Sequence, residues 1–435
     1  MERTTAKKNK YEIDMCNGTI MDKLISFSLP LMLSGILQLM FNAVDIIVVG
    51  RFSGSQALAA VGSTSALINV FTNLFIGISL GANVLTARFY AAGREKEVSE
   101  TVHTAITLVS GIVMALVGLV FSRGALALMG TPDDVIGLSA LYMRIYFLGM
   151  PFFMLYNYGA AILRAVGDTK RPLLFLMIAG VINACLNMVL VIVFKLGVAG
   201  VAIATVISQM ISCVLVLRCL CRSESSYRLR FSELGMKGYY LKQIFSVGVP
   251  AGIQSTVINF SNVLLQSSVN SFGSTAMAGY TAANNLLGFL YVSVNSITQA
   301  CMSFTSQNYG VGKLKRMDRV LAGCMILSVV VAVVLGCICY GFGPEILQIY
   351  TEDAEVIACG MEILAYTTIT YFLCGWMDLF PGALRGMGYS AVPMVLSVIG
   401  TVGTRVVWIF GIFPYHRSLA ILFISYPASW IITIV

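Results

Sequence analysis

Long apolar runs, separated by short polar stretches, extend along almost the whole chain. Twelve runs approach or exceed the ~20 residues that a helix needs to cross a bilayer. They cover roughly residues 24–49, 58–86, 102–122, 138–162, 172–194, 197–217, 244–271, 279–306, 320–341, 357–383, 391–413 and 418–435. The runs do not alternate apolar and polar residues as barrel strands do, and lipid satisfies no backbone hydrogen bonds. The pattern predicts an all-α polytopic membrane protein with twelve transmembrane helices.

The chain also repeats itself. The matching pairs are "SLPLMLSG" (28–35) with "GVPAGIQS" (248–255), "FSGSQALAAVG" (52–62) with "SFGSTAMAGYT" (271–281), "FYAAGR" (89–94) with "NYGVGK" (308–313), and "ILRAVGDTKRP" (162–172) with "ALRGMGYSAVP" (383–393). These offsets of 219 to 221 residues stay in order across six spans. The repeat predicts two homologous six-helix lobes, and an even number of spans in each lobe makes them parallel repeats.

The repeat sets the expected domain boundaries. The predicted parts are a cytoplasmic N-terminal segment at 1–23, a lobe at 24–221, a polar and basic cytoplasmic loop at 222–243, and a second lobe at 244–435. The last span has only ~18 residues and no polar tail, close to the lower limit for crossing a bilayer. This is the pattern expected of a truncated last helix.

Composition and charge agree with a membrane protein. The chain is 58% hydrophobic and 11% charged, whereas about 25% of residues are charged in soluble domains. On the side of the amino terminus lie 22 of the 28 Lys and Arg residues, and only four lie in the opposite loops. This asymmetry predicts a cytoplasmic amino terminus in the inner membrane. It also explains the net charge of +8 without a nucleic-acid partner.

Enzyme chemistry is not indicated. The eleven cysteines lie mostly within spans, without clustered His or carboxylate residues, and are interpreted as small packing residues rather than metal ligands. Both histidines, His103 and His416, lie near span ends. We therefore expect no catalytic site, no metal beyond a Na⁺ at the acid considered next, and no cofactor.

One acid stands out in the first span. Asp45 is the only charged residue between Lys23 and Arg51, and Gln38 and Asn42 lie on the same helix face at i, i+4 and i+7 spacing. Asp45 lies about 9 Å below the outer surface, counting 1.5 Å per residue. A carboxylate in this environment can exchange H⁺, Na⁺ or a cationic substrate. A purely structural hydrogen bond between helices is the alternative.

Asparagines in neighbouring spans could complete such a site. Asn183 and Asn187 lie one turn apart in the outer half of the fifth span, and their amide oxygens suit Na⁺ or a proton network with Asp45. Asn157, in the fourth span, lies nearer the cytoplasm. Each could equally be an ordinary interhelical contact, worth about 0.6 kcal/mol on average.

Further charges lie inside spans. Counted from its span's centre, Arg405 lies ~6 Å outward, Glu362 ~13 Å outward and Asp378 ~10 Å inward. Glu362 is therefore the expected partner of Arg405, which leaves Asp378 available for substrate. Arg144 lies at a depth similar to Asp45 and could be its counter-ion or could extend outward to the membrane surface.

The seventh and eighth spans are rich in amides, among them Asn259, Gln266 and Gln299, a density that favours a wetted wall over a lipid-facing surface. Tyr280 could contribute to an aromatic pocket for flat cations. Plain packing is the alternative for each.

Several motifs together resemble the multidrug and toxic compound extrusion (MATE) family over nearly the whole chain. They are "NAVDIIVVGR", "GANVLTARFYAAG", "ILRAVGDTKRP", "GVAGVAIATVIS" and "ALRGMG", in that order. The resemblance implies a twelve-helix, two-lobed antiporter of bacterial type. Such a protein exports organic cations or other amphipathic compounds in exchange for Na⁺ or H⁺.

The resemblance also implies roles for individual residues. Asp45 resembles the central cation-coupling carboxylate, with Asn157, Asn183 and Thr205 in its hydrogen-bond network, and Asp378 resembles a carboxylate used by some members in the other lobe. Two positions depart from the family pattern. Asn187 stands where many relatives have an acid, and only Asn259 is available where one subgroup has a glutamate in the seventh span.

Two functions of different kinds remain. The first is a drug antiporter, a monomer whose partners are small organic cations and the bilayer. The second is a flippase for a lipid-linked precursor, which would need several cationic side chains facing its cavity. The sequence shows mainly acids and amides there, which favours the antiporter.

Overall fold

The computed structural model describes residues 11–108, 110–128 and 131–435. Residues 1–10 of the predicted segment 1–23 lie outside the described residues. Over the described residues the regular structure is helical, with seventeen α-helices, three π-helices and one 3₁₀ turn. These elements form twelve helical rods, each of which overlaps one of the twelve predicted runs.

The first six rods are formed by residues 21–221. They are α1 (Met21–Phe52), α2 (Ser55–Ala91), α3 (Glu95–Thr107) with α4 (Ser110–Leu128), α5 (Asp133–Leu148) with α6 (Met150–Ala165), α7 (Lys170–Asn187) continued by the π-helix π1 (Met188–Val193), and α8 (Gly197–Cys221). The fourth rod is bent by 45° between α5 and α6. Gly149 lies at this break and Pro151 follows it, and proline removes a backbone donor there.

The last six rods repeat this order after a 3₁₀ turn at Phe231–Glu233. They are α9 (Gly238–Asn270), α10 (Ser274–Gly310), α11 (Leu314–Gly341) followed by the short α12 (Gly343–Gln348), α13 (Ala354–Thr367) with α14 (Tyr371–Gly386), then α15 (Ala391–Ser397), π2 (Val398–Gly403), α16 (Thr404–Val407) and π3 (Trp408–Ile412) as one rod, and α17 (Leu419–Ile434). The tenth rod, like the fourth, is bent, here by 51°.

Rods differ in how apolar they are. Among the described residues, seven helices are long and apolar enough to cross a membrane, or nine if each bent pair counts as one span. The other three rods depart from that pattern for visible reasons. The helices α9 and α10 are 33 and 37 residues long but carry many amides, and α17 has only 16 residues.

Turns between the rods preserve the repeat. Three pairs of glycines adopt a positive φ that other residues rarely adopt: Gly54 (87°) and Gly273 (98°), Gly93 (68°) and Gly312 (73°), and Gly167 (97°) and Gly388 (95°). The members of each pair are 219, 219 and 221 residues apart, the same offsets as in the sequence repeat. The two halves therefore share their turn geometry as well as their helix order.

The chain divides into two compact units. The N unit contains Ile36–Val249 and the described residues up to Asp14, and the C unit contains Met15–Gly35 and Pro250–Val435. The lobes predicted at 24–221 and 244–435 differ from these units at two places. The first part of α1 belongs to the C unit, and the predicted loop 222–243 with residues 244–249 belongs to the N unit. In that part of α1, Phe27 packs edge-on against Phe304, with ring centroids 5.6 Å apart.

Each unit has its own apolar core. In the N unit the core includes Leu85, Phe147 and Tyr158, which are almost completely buried. In the C unit it includes Leu290 and Phe423. Polar side chains buried within these cores are therefore the exceptions that need an explanation.

Candidate functional site

Asp45 lies within a hydrogen-bond network of the N unit. The Nδ2 of Asn187 donates to Oδ1 of Asp45, and the hydroxyl of Thr205 lies 3.5 Å from Oδ2. The same Asn187 nitrogen lies 3.2 Å from Oδ1 of Asn183, whose own Nδ2 lies 3.5 Å from the Thr205 oxygen. The structure thus brings together four of the five residues predicted for cation coupling.

One atom of this network is left without a partner. Among the described residues, Oδ1 of Asn187 is a buried acceptor that receives no hydrogen bond. A buried polar atom without a partner costs about 1–3 kcal/mol. This atom belongs to the side chain that donates to Asp45, so a cation at the carboxylate would give it a partner. It could bind Na⁺ directly, or it could accept a hydrogen bond from protonated Asp45. The residues present fit either ion.

Backbone geometry explains why these side chains meet. Asn183 and Asn187 are separated by one turn of α7 and share a face. Asn187 is the last residue of α7, directly before the wider π-helix π1. Single π turns inside α-helices often lie at functional sites. Thr205 comes from α8, which packs against α7.

Two tyrosines near Asp45 were not predicted. Tyr142 and Tyr146 of α5 both interact electrostatically with Asp45 and stack on each other at 6.1 Å. Arg144 lies between them in sequence but is exposed, about 200° around the helix from each at 100° per residue. Among the described residues it forms no ion pair, so the counter-ion alternative for Arg144 is not what the structure shows. The i, i+4 spacing of the tyrosines was the missed signal.

Three further predicted residues of the N unit stand apart from the network. Asn157 donates to the carbonyl of Phe153 at 2.8 Å, within its own helix α6, and not to Asp45. Gln38 and Asn42 are exposed on α1 and have no hydrogen-bond partner among the described residues. They are open to a ligand on the same face as Asp45.

Asp378 in the C unit has an unexpected neighbour. This half-buried residue of α14 interacts electrostatically with Arg385, two turns further along the same helix, and with Tyr291 of α10. The guanidinium of Arg385 donates to Oε1 of Gln254 in α9. Arg385 follows the tenth apolar run, which was placed at 357–383, but it lies in the last turn of α14 and is half-buried. Because helical side chains point toward the amino terminus, it extends back toward Asp378.

The predicted partnership of Arg405 with Glu362 is wrong. Arg405, 3% exposed, donates from Nη1 to Ser261 Oγ (2.8 Å) and Asn262 Oδ1 (2.7 Å), and from Nε to Ser429 Oγ (3.4 Å). Its guanidinium also lies 4.8 Å from the ring centroid of Tyr426. Depth along the membrane normal suggested Glu362, but Arg405 points into the C unit's core, where neutral oxygens and a ring surround it.

The remaining predicted substrate residues divide by exposure. Tyr280 is 3% exposed, its hydroxyl is 2.9 Å from that of Tyr426, and its ring stacks on Phe423, so it is buried in the C unit and not open to a transported substrate. Gln299 is half-buried and donates to Asn295 at 3.1 Å. Asn259 and Gln266 are exposed on α9 and could meet a ligand.

Comparison with known proteins identifies the family. The MatE family profile matches residues 30–189 and 250–410, most of the chain, with one segment in each repeat. The chain belongs to the MatE family. This MatE chain is 32% identical over 421 residues to YoeA of Bacillus subtilis (strain 168), a probable multidrug resistance protein, with 94% of this chain and 90% of YoeA covered.

Other similarities agree. The MatE chain is 22% identical over 380 residues to the multidrug export protein MepA of Staphylococcus aureus (strain NCTC 8325 / PS 47), covering 86% of this chain and 84% of MepA. Its fold matches the crystal structure of a MATE in complex with MaL6, with a TM-score of 0.91, 19% identity, and 98% and 96% of the two chains covered. The resemblance to the family and the predicted all-α, two-lobed membrane fold are confirmed.

Proposed function

We propose that this chain is a secondary active antiporter that exports organic cations or other amphipathic compounds in exchange for Na⁺ or H⁺. One observation carries the proposal: Asp45 lies beside a buried amide oxygen, Oδ1 of Asn187, that has no partner among the described residues. The names of the relatives YoeA and MepA, a probable multidrug resistance protein and a multidrug export protein, support this class of substrate.

The coupling step follows from these oxygens. If the ion is Na⁺, Asp45 and Asn187 supply hard oxygen ligands, with Asn183 and Thr205 holding the amide and carboxylate in place. If the ion is H⁺, protonated Asp45 becomes a donor and Asn187 Oδ1 is the acceptor beside it. In both cases the cation neutralises the charge on this face of α1.

Substrate and cation then compete through the same helix. Gln38 and Asn42 lie two turns and one turn before Asp45 and are open to a ligand. Neutralising Asp45 weakens the attraction for an organic cation, and by reciprocity the substrate weakens cation binding by the same factor. Pro30 lies inside α1 and removes one backbone hydrogen bond, which eases bending of this helix. Asp378, Asn259, Gln266 and Gln299 supply further substrate contacts in the C unit.

We place the protein in the inner membrane as a monomer, with its amino terminus in the cytoplasm. The support is the distribution of Lys and Arg along the sequence. Access to the substrate site alternates between the two sides of the membrane.

The proposal is tested by export of ethidium from proteoliposomes under an imposed Na⁺ gradient or an imposed H⁺ gradient. We compare wild type with Asp45→Asn, and use Asp318→Asn as the matched control because Asp318 is an exposed carboxylate on α11. Wild type and the control should export ethidium under one of the gradients, and Asp45→Asn should not. The gradient that works identifies the ion.

Two results would contradict the proposal. Gradient-driven export by Asp45→Asn at the wild-type rate would return Asp45 to a structural role. Absence of ethidium export by correctly inserted wild type would favour the flippase, which a lipid-scrambling assay with a pyrophosphate-linked lipid would then measure.

A further inference from the structure

Arg405 is a buried positive charge deep in the C unit. It lies about 5 Å from the centre of its rod, counting 1.5 Å per residue, and is 3% exposed. An arginine at such depth is costly unless it is paired, and residues of this kind commonly mark a functional site.

The groups around Arg405 do not neutralise its charge. Its hydrogen-bond acceptors are the neutral oxygens of Ser261, Asn262 and Ser429. The titratable groups that act on it are Tyr426, Cys374, Tyr280 and Tyr371, which are all neutral at physiological pH. The ion pairs of the described residues do not include Arg405. Its positive charge is therefore uncompensated within the part of the chain that the structure describes.

Hydrogen-bond donors also remain in this cluster. Arg405 uses Nε and Nη1 for its bonds, and its Nη2 makes none to the described residues. The hydroxyls of Tyr280 and Tyr426 share one hydrogen bond at 2.9 Å, so one of the two phenol protons is left over. A charged N–H fork and a phenol O–H are donors suited to an anion.

The place of the cluster in the repeat argues in the same direction. The site at Asp45 uses the first, fifth and sixth rods of the N unit. Arg405 and the side chains that accept its hydrogen bonds lie on the first, fifth and sixth rods of the C unit, and Tyr280 adds a contact from the second. Asn262, the acceptor for Arg405, is 220 residues after Asn42, which matches the repeat offset. The same three rods therefore hold an acid in one unit and a base in the other, although the two charges lie on different rods, Asp45 on the first and Arg405 on the fifth.

We propose that the Arg405 cluster, comprising Arg405, Ser261, Asn262, Tyr280 and Tyr426, binds a small monovalent anion of the size of chloride. The bound anion neutralises the guanidinium and accepts hydrogen bonds from Nη2 and the remaining phenol proton. The site is separate from cation coupling and does not depend on the transported substrate.

Thermal unfolding of the purified protein tests this proposal. The sodium salts of chloride, bromide, acetate and gluconate are compared at constant Na⁺ and an ionic strength of about 0.15 M. Gluconate is much larger than a halide and serves as the reference anion, and acetate distinguishes a carboxylate ligand from a halide. We expect Tm to be higher in chloride and bromide than in gluconate by about 2 °C or more.

Variants locate the effect. The halide-dependent rise in Tm should disappear in Arg405→Gln, persist in reduced form in Arg405→Lys, and be unchanged in Arg319→Gln, an exposed arginine on α11. Tyr426→Phe should weaken the apparent halide affinity several-fold. If Arg405→Gln does not fold, two measurements still test the anion site. Tyr426→Phe should weaken the halide effect, and anomalous diffraction from wild-type crystals in bromide should show a peak beside the guanidinium.

Three outcomes would overturn the proposal. They are equal Tm values in all four salts, a halide effect that Arg405→Gln retains in full, and crystals grown in bromide without a peak at Arg405. A rise in acetate but not in halides would assign the site to a carboxylate and overturn the halide assignment. Asp45→Asn should keep the halide effect, so failure of the antiport proposal is measured separately.

Discussion

A half-buried acid in the N unit and a buried base in the C unit are held by equivalent rods of one repeated fold. Asp45 accepts one hydrogen bond from Asn187, at the edge of π1, whereas Arg405 donates to Asn262 from the short helix between π2 and π3. An asparagine can bind either charge because its amide group contains both a donor and an acceptor. Within the described residues, the acid has an acceptor without a partner beside it, and the base has a donor without a partner of its own.

The difference teaches that the same three rods can enclose a charge of either sign, and that the charge need not come from the same rod in the two units. Widened π turns in the fifth rod of each unit interrupt the regular helix at both sites. The hydrogen-bond partner and the counter-charge that each site lacks then predict its ligand. The acid is expected to bind a cation, and the base an anion. The following predictions test this comparison.

The largest effect is expected from Asp45→Asn. Wild type should bind ethidium about 5–150-fold more weakly when the coupling cation is present than when it is absent. The variant should bind equally in both conditions, because the neutral amide cannot distinguish them. Fluorescence titration of purified protein measures both affinities, with Arg405→Lys as the comparison variant from the other unit. A retained cation effect in Asp45→Asn would assign coupling elsewhere.

Asn187→Asp should change the number of cations exchanged for each ethidium. A second carboxylate next to Asp45 makes two anions that repel unless another cation enters, so one more cation should be exchanged for each ethidium. The reversal point of ethidium flux against an imposed ion gradient measures this ratio in proteoliposomes. Asn187→Ser, which adds no charge, is the control, and an unchanged ratio in the Asp variant would show that Asn187 does not contact the ion.

Asn262→Ala and Asn42→Ala compare equivalent positions of the repeat directly. Asn262 accepts from buried Arg405 at 2.7 Å, whereas Asn42 is exposed. Loss of a hydrogen bond to a charged group should lower stability by about 1.5–3 kcal/mol, and Asn42→Ala should change Tm little. Thermal unfolding in gluconate measures both without halide. Equal losses would mean that Arg405 does not depend on this amide.

The smallest effects separate two asparagines of the N unit. Asn183→Ala removes an interhelical contact worth about 0.6 kcal/mol, which corresponds to about threefold in cation affinity. Asn157→Ala should have a smaller effect, because Asn157 bonds only within its own helix. Ethidium export measured over a range of cation concentrations compares the two variants. A larger loss in Asn157→Ala would place that residue in the network after all.

Most of the architecture could be predicted from the sequence, because the length of the apolar runs and the offset of the repeat are enough to locate the helices. Twelve apolar runs and a repeat of about 220 residues located the rods and their pairing. Asp45 and Asn187 were both placed in the outer half of the membrane, and in the structure Asn187 donates a hydrogen bond to Asp45. Their role in coupling stays a prediction.

Direction around a helix axis could not be read from depth. Glu362 and Arg405 were matched by depth but point differently, and Arg144 was considered where Tyr142 and Tyr146 face Asp45. Arg385 lies outside the predicted tenth run because the apolar sequence ends before the helix does. In each case the neighbouring helix, which a single sequence does not name, decides the contact.

The division of α1 between the two units has a consequence for how the chain is made. Residues 15–35 leave the ribosome early, but Phe304, Asn308 and Arg316, which contact Phe27, Met15 and Gly18, follow much later. At roughly 5–20 residues per second, about 270 further residues take about 15–60 s. During that interval the start of α1 lacks its native contacts. The packing of the first helix is therefore finished only when the second half of the chain has been made.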